Sequence, residues 1–218
     1  MNLLGRRRSD ALRIFGSERY LSANEVASVY GQEGDYGLFK PPTGPNNIRL
    51  MEACARENEE NGCDWRVVYC LPFSVRVLIS NARSFQPNLP TARLPYFINQ
   101  PTSDSWAISE PPSGYKLIDF APRFVGYSWD VQENLRRNES RILYRAELAH
   151  VAQALVSFRH LRGEILLNDN SHWSATWSEG WKPIYIGDNE NDGWVIDSWD
   201  EDDSDGYLGI CVTIPFVD

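Results

Sequence analysis

Hydrophobic positions repeat on a helical period in the first third of this chain and on a strand period in its last quarter. In "LSANEVASVYG", Val26, Val29 and Tyr30 share one helical face. Ser22 precedes them as N-cap with Glu25 three residues on, the pairing of a capping box, and Gly31 closes the helix. "GLFKPPTGPNN" is a turn-rich connection. "NIRLMEACARENEENG" then predicts a helix capped by Asn46 or Asn47 and ended by Gly62. Its buried stripe is Leu50, Met51, Cys54 and Ala55, and Glu57, Glu59 and Glu60 mark a solvated end.

"DWRVVYC" is β-branched and aromatic and predicts a strand. Residues 73–82, "FSVRVLISNA", fit a strand by propensity and a short helix after Pro72 equally well. Prolines crowd residues 85–114, which predicts loop with one short strand at "SWAISE"; "GYKLID" is a further strand. "SWDVQENLRR" predicts a helix with Ser128 as N-cap. The clearest helix spans roughly 140–162, with Leu148, Val151, Ala152, Leu155, Phe158 and Leu161 on one face and Gly163 as its stop. From residue 173 onward, "WSATWS", "WKPIYIG", "GWVIDSWD" and "YLGICVTIPFV" predict an antiparallel meander joined by tight turns. The whole therefore predicts an α+β fold in one domain over 1–218. It has a helical part over 1–62 and an acidic, β-rich part over 164–218, with the long amphipathic helix packed on the meander.

Composition changes this picture little, and charge changes it more. Eight Trp, ten Tyr and nine Phe supply ample apolar area, so a chain of 218 residues needs no staples to fold. Its apolar runs are too short for a membrane span. The start has Arg6, Arg7 and Arg8 but no apolar stretch behind them, so it is not read as a secretory signal. Cys54, Cys63, Cys70 and Cys211 show no zinc-type spacing, and reduced thiols in a cytoplasm are the plain expectation. Residues 1–163 carry 20 Lys and Arg against 17 acids, a net +3, whereas residues 164–218 carry only Lys182 against 13 acids, a net −12. Such an end repels a phosphate backbone and suits a cation or a basic protein partner.

The densest acidic stretch is "IGDNENDGWVIDSWDEDDSDGYLG". Asp188, Glu190 and Asp192 alternate before Gly193, as oxygen ligands do at the start of a calcium loop, and Glu201, Asp203 and Asp205 repeat the pattern before Gly206. The closing bidentate Glu is missing, because Trp199 and Val212 hold those positions. Asp-Gly hairpin tips account for both turns without a metal, which leaves calcium as the weaker reading and no cofactor as the expectation. Five indoles, from Trp173 to Trp199, lie nearby. Alternation along 194–199 puts Trp194 and Trp199 on opposite faces, so they do not form one flat platform.

Catalytic motifs are absent from the sequence: no G-x-S-x-G, P-loop, G-x-G-x-x-G or H-E-x-x-H occurs. His150 and His160 are about 80° apart on a helical wheel. Asp119 and Arg123 flank Pro122 and fit a turn-fixing salt bridge, or, with Asp130 and Glu133, the acid, base and anion clamp of a cleft.

The segments "DWRVVYCLPFSVR", "GYKLIDFAPRFVGYSWDVQENL", "AHVAQALVSFRHLRGEILL" and "WKPIYIGDNENDGWVIDSWDEDD" carry a resemblance. Through them, about the last two-thirds of the chain is similar to a loose set of uncharacterised bacterial and phage-like proteins. The resemblance implies a module from a bacterium or a mobile element, and brings no activity, cofactor or site residue.

The expectation is a cytoplasmic, non-enzymatic interaction module. Its surface would consist of Asp200, Glu201, Asp202, Asp203, Trp194 and Trp199, and would meet a basic protein partner. Two rival expectations are a carboxylate hydrolase, with or without a divalent ion, using Asp188, Asp192, Asp119 and His172, and a carbohydrate-binding module.

Overall fold

The computed structural model describes residues 9–32, 36, 39–78, 105–168, 170–188 and 194–217. Helix α1 (Asp10–Phe15), strand β1 (Tyr20–Leu21), α2 (Ala23–Val29), α3 (Pro45–Glu60) and β2 (Trp65–Cys70) precede α4 (Ser105–Ile108) and β3 (Gly114–Arg123). Then come α5 (Trp129–Glu139), β4 (Tyr144–Arg145), α6 (Leu148–Arg162), β5 (Ser171–Trp177), β6 (Pro183–Asp188), β7 (Trp194–Ser198) and β8 (Leu208–Ile214). Residues 75–78 are helical, which decides the described part of 73–82 in favour of helix. Arg6, Arg7 and Arg8, and most of the proline-rich stretch, lie outside the described residues.

Local signals account for several of these boundaries. The capping box of α2 is present, with Ser22 and Glu25 each binding the other's backbone N–H. Helix α3 begins at Pro45, whose missing N–H suits the first turn. Asn47 is thereby inside the helix, not at its cap. Its side chain instead clasps the backbone of Val217, accepting from the N–H at 2.9 Å and donating to the carbonyl at 2.7 Å. "SWAI" is a helical turn and not the expected strand; Ala107 is buried and Trp106 packs on the core, contacts that override strand propensity. Helix α6 starts at Leu148 and not near 140, because Tyr144 and Arg145 are drawn out to pair with Thr213 and Val212. Nor is it amphipathic: every residue from Leu148 to Phe158 is buried, the signature of a helix enclosed on all sides.

Helices and a mixed sheet of eight strands make this an α+β fold. The order is β1-β2-β3-β8-β5-β6-β7, with β4 paired to β8 beside β5. Strands β5, β6 and β7 form the expected antiparallel meander. Strand β8 leaves it, running parallel to β5 and antiparallel to β3 and β4. Its residues are buried almost throughout, as a strand covered on both faces requires. Side chains alternate across the sheet: Val68, Ile118 and Cys211 join the core beneath α2 and α6, while Val67, Leu117 and Val212 join the core beneath α1 and α3. Helix α6 touches β2 as well as β5 and β6, so it spans both halves of the sheet. Among the described residues no helix is long and apolar enough to cross a membrane.

Candidate functional site

The turn between β7 and β8 holds the expected acidic surface. Asp200, Glu201, Asp202 and Asp203 are all exposed. The turn is tied down from several directions. Trp199 Nε1 donates to Asp203 at 2.6 Å, Tyr207 N–H donates to Asp205, and Trp129 N–H on α5 donates to the Glu201 carbonyl. Lys182 reaches across from the β5–β6 turn to Asp200 at 2.7 Å, an exposed pair of small energetic weight.

Beside Lys182, Trp181 is 85% exposed and holds a backbone φ of 57°. A bulky residue at positive φ is strained, and exposure of a whole indole forgoes its burial. Trp199 is 38% exposed, with its ring 5.8 Å from that of Tyr185. Trp194, by contrast, is buried beside Ile196, so the two indoles do face opposite ways and Trp194 belongs to the core. Trp173 is buried as well.

Glu190 and Asp192 lie outside the described residues, and of Asp188 only the backbone, at the end of β6, is described. Among the described residues no group of three or more His, Cys, Asp or Glu stands close enough to hold a metal ion.

The remaining candidates are brought to separate places. Asp119 is fully buried in the bulge of β3, where it accepts from the N–H groups of Asp64 and Ala121 and from Arg123 Nε at 3.0 Å. Burial pushes its carboxyl up, and these bonds pull it back. Arg123 also meets Glu57 and Glu139 and lies over the Trp65 ring, so the turn-fixing salt bridge is the arrangement present. Cys63, beside it, is pushed up to about 11 by burial and by Asp119, which keeps the thiol protonated at neutral pH. His172 is fully buried: its Nδ1 accepts from Cys211 N–H at 2.9 Å and its Nε2 donates to the Ala146 carbonyl at 3.1 Å. With both nitrogens engaged by backbone, it has no free lone pair to act as a base. All four cysteines are free.

Glu133, expected to share a cleft with Asp119, lines a different feature, a cleft of about 740 Å³ that Asp119 does not line. One wall is Trp129 and Trp177, packed edge to face with centroids 4.9 Å apart. Arg145 of β4 forms the base of that wall, buried, with its guanidinium carbon 4.3 Å from the centre of the Trp129 ring. Its terminal nitrogens donate to Gln132 and to the carbonyls of Trp173 and Trp129, while its Nε has no hydrogen-bond partner. Burial pulls Arg145 down to about 9, with Glu133 acting the other way, so it remains a cation at neutral pH. His150, which also lines the cleft, is pulled down to about 4 by burial and by Lys116 and is neutral at pH 7; its Nε2 lies 3.1 Å from the Pro112 carbonyl. Nothing in the local sequence marks Arg145, because its surroundings come from β8, α5 and β5.

Comparison with protein-family models, with curated proteins and with solved structures gave no match.

Proposed function

We propose that the protein is a non-enzymatic interaction module, and that the rim of Trp181, Trp199 and Asp200–Asp203 docks a basic protein surface. The observation that carries this reading is Trp181, exposed at 85% and held at positive φ next to four exposed acids. Backbone strain kept at an exposed aromatic is a mark of function more than of folding, and Trp is the side chain most enriched among residues that dominate binding energy. The acids supply sign: a net −12 over residues 164–218 steers a cationic partner and sets its approach rate. Four free cysteines favour a reducing compartment, the cytoplasm.

Capture from a lysate of the source cells tests it. The wild-type chain is expected to retain a basic protein that is lost both from Trp181→Ala and from Asp200→Asn/Glu201→Gln/Asp202→Asn/Asp203→Asn, and its retention should fall steeply with salt. An identical set of captured proteins on all three baits would end this reading.

A further inference from the structure

The cleft beneath α5 carries an inference independent of the rim. A buried guanidinium is costly unless its donors are met, and the carboxylate that would meet Arg145 is already committed. Both oxygens of Glu133 are bound by Arg136, and one also by Arg137 at 2.9 Å, which leaves Arg145 Nε 3.7 Å from Glu133, beyond hydrogen-bond reach. Among the described residues, Arg145 is the one charged side chain with a buried polar atom that makes no hydrogen bond, its Nε having only the longer ion pair with Glu133. The indole N–H of Trp129, the ring on which that guanidinium rests, is also buried and without an acceptor. Both unmet groups are donors, so what completes this wall is an acceptor.

Charge narrows the choice. Lys116, Arg136 and Arg145 face Glu133 and Glu147 around the cleft, three cations against two carboxylates, and His150 adds no charge at neutral pH. A balance of one positive charge fits a monoanion better than a dianion. A carboxylate has the planar pair of oxygens that a guanidinium edge matches. The Trp129–Trp177 pair and Phe216 offer apolar faces for the rest of the ligand, and the volume lies within the range of small-molecule sites. We propose that this cleft binds a small organic carboxylate bearing a flat apolar ring, its carboxylate taken by Arg145 and the Trp129 indole N–H and its ring by the Trp129–Trp177 wall. Both residues line the cleft but the two donor atoms are buried, so binding includes side-chain rotation of the kind that commonly accompanies association.

The experiment is titration of the whole chain with 2-naphthoate, with 2-naphthamide as its neutral isostere and 2-naphthyl phosphate as the dianion, followed by calorimetry and by indole N–H resonances. Naphthoate is expected to saturate, to move the Trp129 indole N–H signal (assigned with Trp129→Phe), and to bind roughly tenfold or more tightly than the amide. Arg145→Lys should remove most of that preference, and Lys116→Met, which takes one cation from the cleft, should lower it several-fold, while the weak amide binding stays in both. Lys116 is only half-buried, so its variant carries the test if Arg145→Lys does not fold. Equal binding of acid and amide, no binding of naphthoate at millimolar concentration, an unmoved Trp129 signal, or tighter binding of the phosphate would each overturn the assignment.

Discussion

His172 holds two backbone groups that a neighbouring strand would otherwise hold. It sits where the partner of β8 changes from β5, at Leu208 and Gly209, to β4, at Val212 and Thr213, and its ring spans the gap between Cys211 N–H and the Ala146 carbonyl. Protonation would set a ring N–H against the Cys211 N–H, and burial holds His172 down at about 3, as it holds His150 at about 4. The unfolded chain takes up these protons near 6.5, the folded chain only at those lower values. Stability from both groups is therefore fully present above pH 6.5 and is lost as pH falls below it. Unfolding free energies from urea titrations are expected to be level above pH 7.5 and to fall below pH 6.5, with a slope approaching about 1.4 kcal/mol per pH unit for each histidine near pH 5, and His172→Asn should remove about half of that slope. A flat profile in the wild type would contradict the neutral, doubly bonded ring. Trp181 makes a second residue-level prediction. Trp181→Gly relieves its positive φ and should leave the melting point unchanged or raise stability by about 0.5–1 kcal/mol, while abolishing partner capture. The opposed facing of Trp194 and Trp199 was legible in the sequence because strand alternation is a local rule. His172 was not, since in "NDNSHW" it reads as a polar turn and its partners lie 39 and 26 residues away.

Elements were legible where their signals are local and obscure where a distant partner decides. The capping box of α2, the apolar stripe of α3 and the period-two runs of β5 to β8 lie within a few residues of the structure they specify. The start of α6 does not: an apolar helical pattern over 140–162 gives no sign that Tyr144 and Arg145 are claimed by β8. The β3 bulge is similarly hidden: the sequence offers the Asp119–Arg123 salt bridge but not the strand irregularity that it spans. Between those two residues the register against β8 shifts, and Gly209 lies against the bend. A Cβ at Gly209 would stand 2.8 Å from the Arg123 carbonyl oxygen and from Val125 Cγ2, one of them backbone that cannot swing aside. Gly209→Ala should therefore cost about 1–3 kcal/mol, read as a lower denaturation midpoint with an unchanged m-value. A midpoint equal to wild type would mean that the bulge is looser than its contacts indicate.

At the scale of the molecule, charge asymmetry was plain from composition, whereas strand order was not, because no local pattern says that the last strand belongs in the middle. Thr213 donates to the Leu117 carbonyl across 96 residues, and among the described strands β8 is the one hydrogen-bonded to both the β1–β2–β3 block and β5–β6–β7. A chain cut after residue 206 is expected to lose cooperative unfolding altogether, not merely some stability, and calorimetry would show no single transition; an intact two-state melt would refute that role for β8. The same placement governs how the protein is made. A ribosome must deliver residue 214 before β3 and β5 have their shared neighbour, so both present open edges throughout the preceding translation. A pause or premature stop between residues 198 and 208 would leave two sticky half-sheets in the cell, and nascent chains of this length are where chaperone dependence should be sought.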